Sequence, residues 1–416
     1  MENKKPKIRV AGFNDEWNQL ELGEISDIKT GPFGSTLHAK DYIEDGMPII
    51  TTEHFKSGQL PENKSNTPQV SDEDYLRLKS YKLQKGDIVF SRVGSIDINA
   101  LVTDVQDGWL FSGRVLRVRP NKQFDSGYLH YLLETTPVRN DVVARAVGQT
   151  MPSINTEILK KTKITTSKNV DEQNKIFSIL KNIDSIASLH QQELDTLKQT
   201  KKGFLQKMFP KEGQLIPELR YPGFDTKWEL RSLGEVAPLR GGFAFQSKKF
   251  KKNGVPIVRI SNIKSNGEVG GDYAYYDAQS KDEKFLLKDG AALLAMSGAT
   301  TGKVAILKNS DNGKVYQNQR VGLFTITDKV NYDFISIIVR SPMFTNQLKS
   351  VLVSGAQPNV SSREIDSFEF LFPKTKEEQI QIGKFFKQLD ELIALQQQEI
   401  DALKQTKKAF LQKMFV

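Results

Sequence analysis

Residues 297–303 of this 416-residue chain read SGATTGK, and Gly, Thr and Lys spaced this closely are what a phosphate-cradling loop uses. The nucleotide-binding form needs four residues between its first Gly and the Gly-Lys pair, then Ser or Thr to hold a metal. Here three residues intervene and Val304 follows, so both requirements fail. A Gly-rich turn with Ser297, Thr300, Thr301 and Lys303 suits something else: close approach to a nucleic-acid backbone, donating N–H and hydroxyl groups to phosphate oxygens. A plain tight turn at a strand end is the alternative for any one of these residues. Residues 91–95, with Arg92 and Ser95, offer the same kinds of group earlier in the chain.

Three more pairs of polar clusters recur on expected loops. Lys29, Thr30 and Ser35 correspond to Arg240 and Gln246, Thr52 and His54 to Arg259 and Asn262, and Ser112 and Arg114 to Asn318, Gln319 and Arg320. Arg pairs well with guanine, and Asn or Gln with adenine, in the major groove. Matching loops with different polar residues therefore suit two readers of different sequences. Taken singly, each is a solvated loop residue; the recurrence carries the reading.

No catalytic constellation accompanies them. The chain has no Asn-Pro-Pro-aromatic stretch of the amino-methyltransferase kind, no Gly-rich cofactor fingerprint and no carboxylate cluster suited to a nuclease metal. It has no Cys, and His38, His54, His130 and His190 are scattered without ligand spacing, so no metal site and no cofactor are expected. Asp87 and Glu172 are read as structural. The absence of Cys suits a reducing, cytoplasmic setting. No apolar run reaches the 18 or more residues of a membrane span, and the N-terminus reads as a short basic tail. A net charge of +9 with a pI near 9.2 permits nucleic-acid binding. The two longest helical patterns carry only about a third of that excess, so a DNA-facing surface belongs mostly to the remainder.

The elements that must position these loops are set by a repeat. Residues 189–209 and 395–415 are identical at 17 of 21 positions, 206 residues apart. Each closes a long helical pattern that starts at Glu172-Gln173 or Glu378-Gln379. Ile183, Ala187, His190, Leu194, Leu197, Lys201, Phe204 and Met208 follow the alternating steps of four and three of a coiled-coil seam. Leu389, Ile393, Gln396, Ile400, Leu403, Lys407, Phe410 and Met414 repeat it. At 1.5 Å per residue such helices span roughly 55 to 60 Å, and the economical partner for each is the other copy. The identity extends to solvent-side positions such as Gln199, Thr200, Lys202 and Gln206, which packing alone does not require.

Ahead of each helix lies a repeated globular region. Gly12-Phe13 with Trp17 recurs as Gly223-Phe224 with Trp228, and Gly46-Met47-Pro48-Ile49 as Gly254-Val255-Pro256-Ile257. Strands are expected at 48–52, 87–91 and 115–118, and at 256–261, 292–296 and 321–326. Helices are expected at 128–134, 138–146, 334–340 and 343–351. Residues 56–71 and 264–271 read as surface loops. The expectation is mixed α/β architecture with curved β-rich sheets and two long helices. Its segments are 1–170, a long helix over 171–210, a polar linker over 211–222, a second domain over 223–373 and a second long helix over 374–416.

The sequence resembles the specificity subunit of a type I restriction-modification system over nearly its whole length. The resemblance rests on the two GF-x3-W openings, the LAMSGATTGK stretch, Gln357-Pro358-Asn359-Val360-Ser361, the Glu-Gln helix starts and the repeated LKQTKKxFLQKMF. It implies two target recognition domains, each reading one half of a bipartite, asymmetric site in double-stranded DNA, and two antiparallel coiled-coil helices that fix the spacer. It also implies two methyltransferase subunits docked on the repeated helices and restriction subunits in the full complex. Adenine methylation and cleavage would belong to those partners, not to this noncatalytic chain. The helix residues Leu197, Lys201, Phe204, Met208, Leu403, Lys407, Phe410 and Met414 would form the seam or the docking surface. One departure stands out: Gln149 sits in GQTMPS where the second half has Gly355-Ala356-Gln357-Pro358-Asn359. The resemblance leaves the role of that turn open in the first half. A stand-alone DNA-acting enzyme and a coiled-coil scaffold with protein-binding loops remain the alternatives.

Overall fold

The protein is described from a computed structural model covering residues 5–32, 36–56, 58–309, 313–325, 327–352 and 358–416. Its contacts divide it into two units, one of residues 1–191 with 397–416 and one of residues 192–396.

Unit 1 opens with β1 (Asn18–Glu21), α1 (Leu22–Ile25) and β2 (Ser26–Thr30), followed by β3 (Met47–Ile50), β4 (Gln69–Val70) and α2 (Asp72–Arg77). It continues with β5 (Ile88–Ser91), β6 (Asn99–Leu101), β7 (Leu110–Phe111) and β8 (Val115–Pro120). Then come α3 (Ser126–Leu133), α4 (Thr136–Arg145), α5 (Thr156–Lys160), β9 (Lys163–Thr166) and the start of α6 (Val170–Lys207). β5 is IVFS, buried at all four positions, and it lies inside an antiparallel sheet of order β2-β8-β5-β6. A second sheet has the order β4-β3-β7, with β3 and β7 parallel. The sheet-and-helix core gathers Trp17, Phe90, Tyr128 and Leu132 with Phe415 from the chain's end.

Unit 2 repeats the plan. It comprises β10 (Glu229–Ser232), α7 (Leu233–Val236), β11 (Leu239–Gly241), β12 (Val255–Val258), β13 (Ala274–Tyr276) and β14 (Ala292–Ala295). β15 (Val304–Ile306), β16 (Tyr316–Gln317) and β17 (Val321–Phe324) follow, then α8 (Tyr332–Ile338), α9 (Pro342–Leu352), α10 (Ser362–Asp366), β18 (Glu369–Phe372) and the start of α11 (Lys376–Lys413). Its larger sheets have the orders β11-β17-β14-β15 and β13-β12-β16, the counterparts of those in unit 1, and the antiparallel pair β10-β18 matches β1-β9. Trp228, Phe324, Phe334 and Phe386 fill the core together with Phe209 from the end of α6.

Both long helices have acids in the first turn, Asp171 and Glu172 or Glu377 and Glu378, and a Lys in the last, as the helix dipole favours. Asn169 Oδ1 accepts from the N–H groups of Asp171 and Glu172 at 2.9 and 3.2 Å and so caps α6. Within unit 2, α6 meets α11 through Glu193 with Gln396, Lys201 with Asp390 and Phe204 with Phe385, so numbering rises on one helix as it falls on the other. The pairing is antiparallel. In unit 1, Lys407 of α11 meets Asp184 of α6. All the seam positions are buried or half-buried, whereas Gln199, Lys202 and Gln206 are exposed.

The surface-loop expectation over 56–71 needs one correction. Gln69 and Val70 are buried and pair with β3, because Val70 supplies apolar contact and the Gln69 side chain accepts from Gly46 N–H at 2.9 Å. Residues 8–9 of the N-terminal segment and 219–220 of the linker prove to be held in equivalent ways. Ile8 N–H donates to Lys413 O at 2.8 Å, and Leu219 N–H donates to Lys207 O at 2.8 Å. Arg9 Nε reaches Glu172 and Arg220 Nε reaches Glu378, each at 2.7 Å, while Trp17 and Trp228 Nε1 donate to the same carboxylates at 3.3 Å. Both carboxylates are fully buried, so these donors supply what water would otherwise provide.

Candidate nucleic-acid interface

In each unit a short turn precedes the inner strand β8 or β17, and identical backbone bonds hold it. In unit 1, Ser112 N–H donates to Ile50 O at 2.9 Å, Val115 N–H to Ser112 O at 2.9 Å and Arg92 N–H to Arg114 O at 3.0 Å. In unit 2, Asn318 N–H donates to Val258 O at 3.1 Å, Val321 N–H to Asn318 O at 3.0 Å and Met296 N–H to Arg320 O at 3.0 Å. Arg114 and Arg320 are exposed at equivalent places, and Gln319 is exposed beside the second. Gly31 and Gly242 pass directly beneath these turns. A Cβ at Gly31 would overlap the Ser112 carbonyl oxygen, and one at Gly242 that of Asn318.

A second loop in each unit meets the turn from the side. Gly94 N–H donates to Pro152 O at 2.9 Å and Ile154 N–H to Arg92 O at 2.9 Å; Gly298 N–H donates to Pro358 O at 3.3 Å and Val360 N–H to Met296 O at 2.9 Å. The geometry thus aligns residues 152–154 with 358–360. Around the unit 1 loops lies a recess of about 230 Å³ bordered by Thr52, Ser91, Ser95, Arg114 and Met151. Between the matching loops of unit 2, Thr300 Oγ1 donates to Ile260 O at 3.0 Å.

Several expected contact residues are engaged in holding these loops. His54 Nδ1 accepts from Thr51 N–H at 3.1 Å, and burial lowers the pKa of its imidazole. Asn262 is buried; its Oδ1 accepts from Arg259 N–H at 2.9 Å and its amide N–H groups donate to Gly270 O and Asp272 O at 3.2 and 3.1 Å. Both side chains close a capping box on a 3-10 turn, which leaves Asn262 no amide edge for a base. Arg92 clamps three segments, donating to Ile154 O at 3.1 Å, Gly113 O at 3.2 Å and Thr30 Oγ1 at 3.5 Å. Lys29 donates to Ser80 O at 2.8 Å with its ammonium 4.5 Å from the Tyr81 ring, and desolvation lowers its pKa.

In unit 2, Arg240 donates to Gln317 Oε1 at 3.1 Å and Arg259 to Asp272 O at 3.3 Å. Thr301 Oγ1 lies 2.7 Å from Gly298 O and 2.8 Å from Pro358 O, and Lys303 donates to Ser265 Oγ at 2.8 Å. Ser297 pairs with Asn359 across the two loops. Asn318 is half-buried, and Ser112 is buried with no hydrogen-bond partner for its hydroxyl among the described residues. Ser95, Arg114, Gln149, Gln246, Gln319, Arg320 and Asn359 are exposed, and Thr52 is half-buried at the recess. Ser35 and Gln357 lie outside the described residues. The structure therefore separates an outward set from a set that shapes the loops.

No group of three or more His, Cys, Asp or Glu side chains is placed to hold a metal among the described residues, and no described helix is long and apolar enough to cross a membrane. The sequence reading missed Arg9 and Arg220, although both fall in a longer repeat, Pro-x-Ile/Leu-Arg-x-x-Gly-Phe, that starts at Pro6 and Pro217.

Residues 14–199 and 225–405 match the family model of the type I restriction modification DNA specificity domain. The type I restriction enzyme MjaVIII specificity subunit of Methanocaldococcus jannaschii is 23% identical over 411 residues, 95% of this chain and 91% of that protein. The EcoAI specificity subunit of Escherichia coli is 28% identical over 173 residues, 40% of this chain and 28% of its own. The crystal structure of a type I restriction-modification S subunit from M. genitalium matches with a TM-score of 0.71 at 15% identity, covering 99% of both chains.

Proposed function

We propose, from the premise that the chain belongs to the type I restriction modification DNA specificity family, that its two units read the two different halves of a bipartite, asymmetric DNA site. The chain is a DNA specificity subunit. The observation that carries the two-reader proposal is the pair of turns held by identical backbone bonds, each presenting an exposed Arg, with Gln319 beside Arg320 but Gly113 beside Arg114. A guanidinium forks onto guanine O6 and N7, and a neighbouring amide onto adenine, so the two turns select different bases.

Adenine methylation and DNA cleavage fall to partner subunits, and this chain itself is noncatalytic. Two methyltransferase subunits dock on the repeated helices, where Gln199 and Gln405, Lys202 and Lys408, and Gln206 and Gln412 are exposed at equivalent positions. Leu189 and Leu395 add matching apolar surface, 60% and 52% exposed. A restriction subunit joins the full complex, and the assembly works in the cytoplasm.

The test is methylated-base mapping in cells carrying this chain with its methyltransferase, against cells lacking this chain. The proposal expects methyladenine in one split, asymmetric motif that disappears with the chain. A continuous or perfectly palindromic motif would overturn it.

A further inference from the structure

Residues 147–153 make a fixed finger beside the unit 1 recess. Val147 N–H donates to Ser153 O at 3.0 Å and Ser153 N–H returns a bond to Val147 O at 2.9 Å, while Gly148 turns the chain at φ +99°. The bonds from Gly94 to Pro152 and from Ile154 to Arg92 pin its far side, and Arg92 Nε donates back to Ile154 O at 3.1 Å. At the tip, Met151 is 67% exposed. Single exposed apolar residues are ordinary on protein surfaces. This one borders the same recess as Arg114, Thr52 and Ser95, on a backbone held by these bonds.

The alignment of 152–154 with 358–360 supplies an independent argument. The residue before Pro358 is Gln357, so the same place in the sequence carries an amide in one half and a thioether in the other. Gln suits adenine in the major groove, whereas the one apolar feature a base pair offers there is the thymine 5-methyl group. A flexible, polarizable Met adapts to such a small apolar contact.

We propose that Met151 is a specificity-determining residue that contacts a thymine 5-methyl group in the half-site read by unit 1. The inference rests on the reading of unit 1 as a DNA reader. Its test uses the full chain and a duplex carrying the mapped site, with the thymines of the first half-site replaced one at a time by uracil, which lacks only the methyl.

The expected result is about fourfold weaker binding at one uracil position, the weight of one buried methyl-sized group. Met151→Ala then binds the thymine and uracil duplexes equally there, and still selects the second half-site. Met151→Gln also loses the methyl preference. Equal binding of every uracil duplex by the unsubstituted chain overturns the inference, as does discrimination that survives in Met151→Ala. A chain that shows no sequence selectivity on the unmodified duplex instead overturns the reading of the units, a separate failure.

Discussion

Lys407 Nζ lies 2.8 Å from Asp184 Oδ2, and 206 positions earlier and later respectively, Lys201 pairs with Asp390. The repeat thus makes the same ion pair twice with donor and acceptor helix exchanged. The surroundings differ. In unit 1, Lys407 also lies 3.2 Å from Glu134, and Tyr131 donates to Asp184 at 2.7 Å; in unit 2, Arg340 lies 2.8 Å from Asp390.

Removing the two lysines should therefore have unequal effects. Lys407→Met leaves Glu134 and Asp184, 12% and 31% exposed, facing each other without their cation, at an expected loss of about 2 kcal/mol. Lys201→Met leaves Asp390 with Arg340 and should cost under about 1 kcal/mol. Urea unfolding of the full chain measures both; equal losses would show that Glu134 and Arg340 do not set the difference.

Glu172→Ala deprives Arg9, Trp17 and Ser167 of one shared acceptor, with Ser167 Oγ only 2.5 Å from it. A loss of about 3 to 5 kcal/mol is expected, because the half-buried Arg9 guanidinium loses its counter-ion and the buried Trp17 and Ser167 donors lose their acceptor. Glu378→Ala should cost a similar amount in the other half. An unfolding free energy within about 0.5 kcal/mol of the parent's would show that the node contributes little.

How far the sequence reveals this molecule depends on the range of the interaction. The strands at β5, β8 and β14 and the two coiled seams follow from local runs and spacings, and the structure has them. The Arg9–Glu172 pair joins residues 163 positions apart, and no local rule links them. Only the repeat at Pro6 and Pro217 hinted at it. The interface loops were legible as recurring polar clusters, but which side chains face outward was not. His54 and Asn262 turn back onto the N–H three residues earlier, a choice made by the 3-10 turn rather than by residue type.

Gly242→Ala should damage recognition of the second half-site selectively. A methyl group there would push against the Asn318 carbonyl and displace the turn that holds Gln319 and Arg320. Binding to duplexes varied in one half-site at a time reads the effect. Loss of selectivity spread equally over both halves would contradict the prediction.

Arg320→Ala should relax selection in the second half-site alone and Arg114→Ala in the first, each by about 1 to 3 kcal/mol at one base position. Uniform weakening on all sequences, with a shallower salt dependence, would assign them to phosphates instead.

Acid should weaken unit 1 through His130. Burial lowers its pKa, against an opposing pull from Glu134, and Asn99 Oδ1 lies 2.6 Å from its Nδ1. Lys407, Asp184 and Arg139 also face it. The unfolded chain takes up the proton near pH 6.5 while the folded one resists it, so stability is full above that pH and falls as the pH drops below it, by up to about 1.4 kcal/mol per unit. His54, also depressed by burial, adds to the slope. His130→Gln should shrink the gap between urea midpoints at pH 7.5 and 5.5. An unchanged gap would clear His130 of the effect.

The near-identical stretches end in Met208-Phe209 and Met414-Phe415, and each Phe meets a Trp: Phe209 with Trp228 at 5.7 Å and Phe415 with Trp17 at 6.1 Å. Each stretch delivers a Lys to an Asp and a Met-Phe anchor to a core. A genetic crossover within the repeat, with a gene that carries the same two stretches, would therefore still supply Asp184 and Trp17 with the same Lys and Met-Phe. New pairs of DNA targets can then arise in one event, by reassortment of halves, with the repeat's own side of these contacts unchanged.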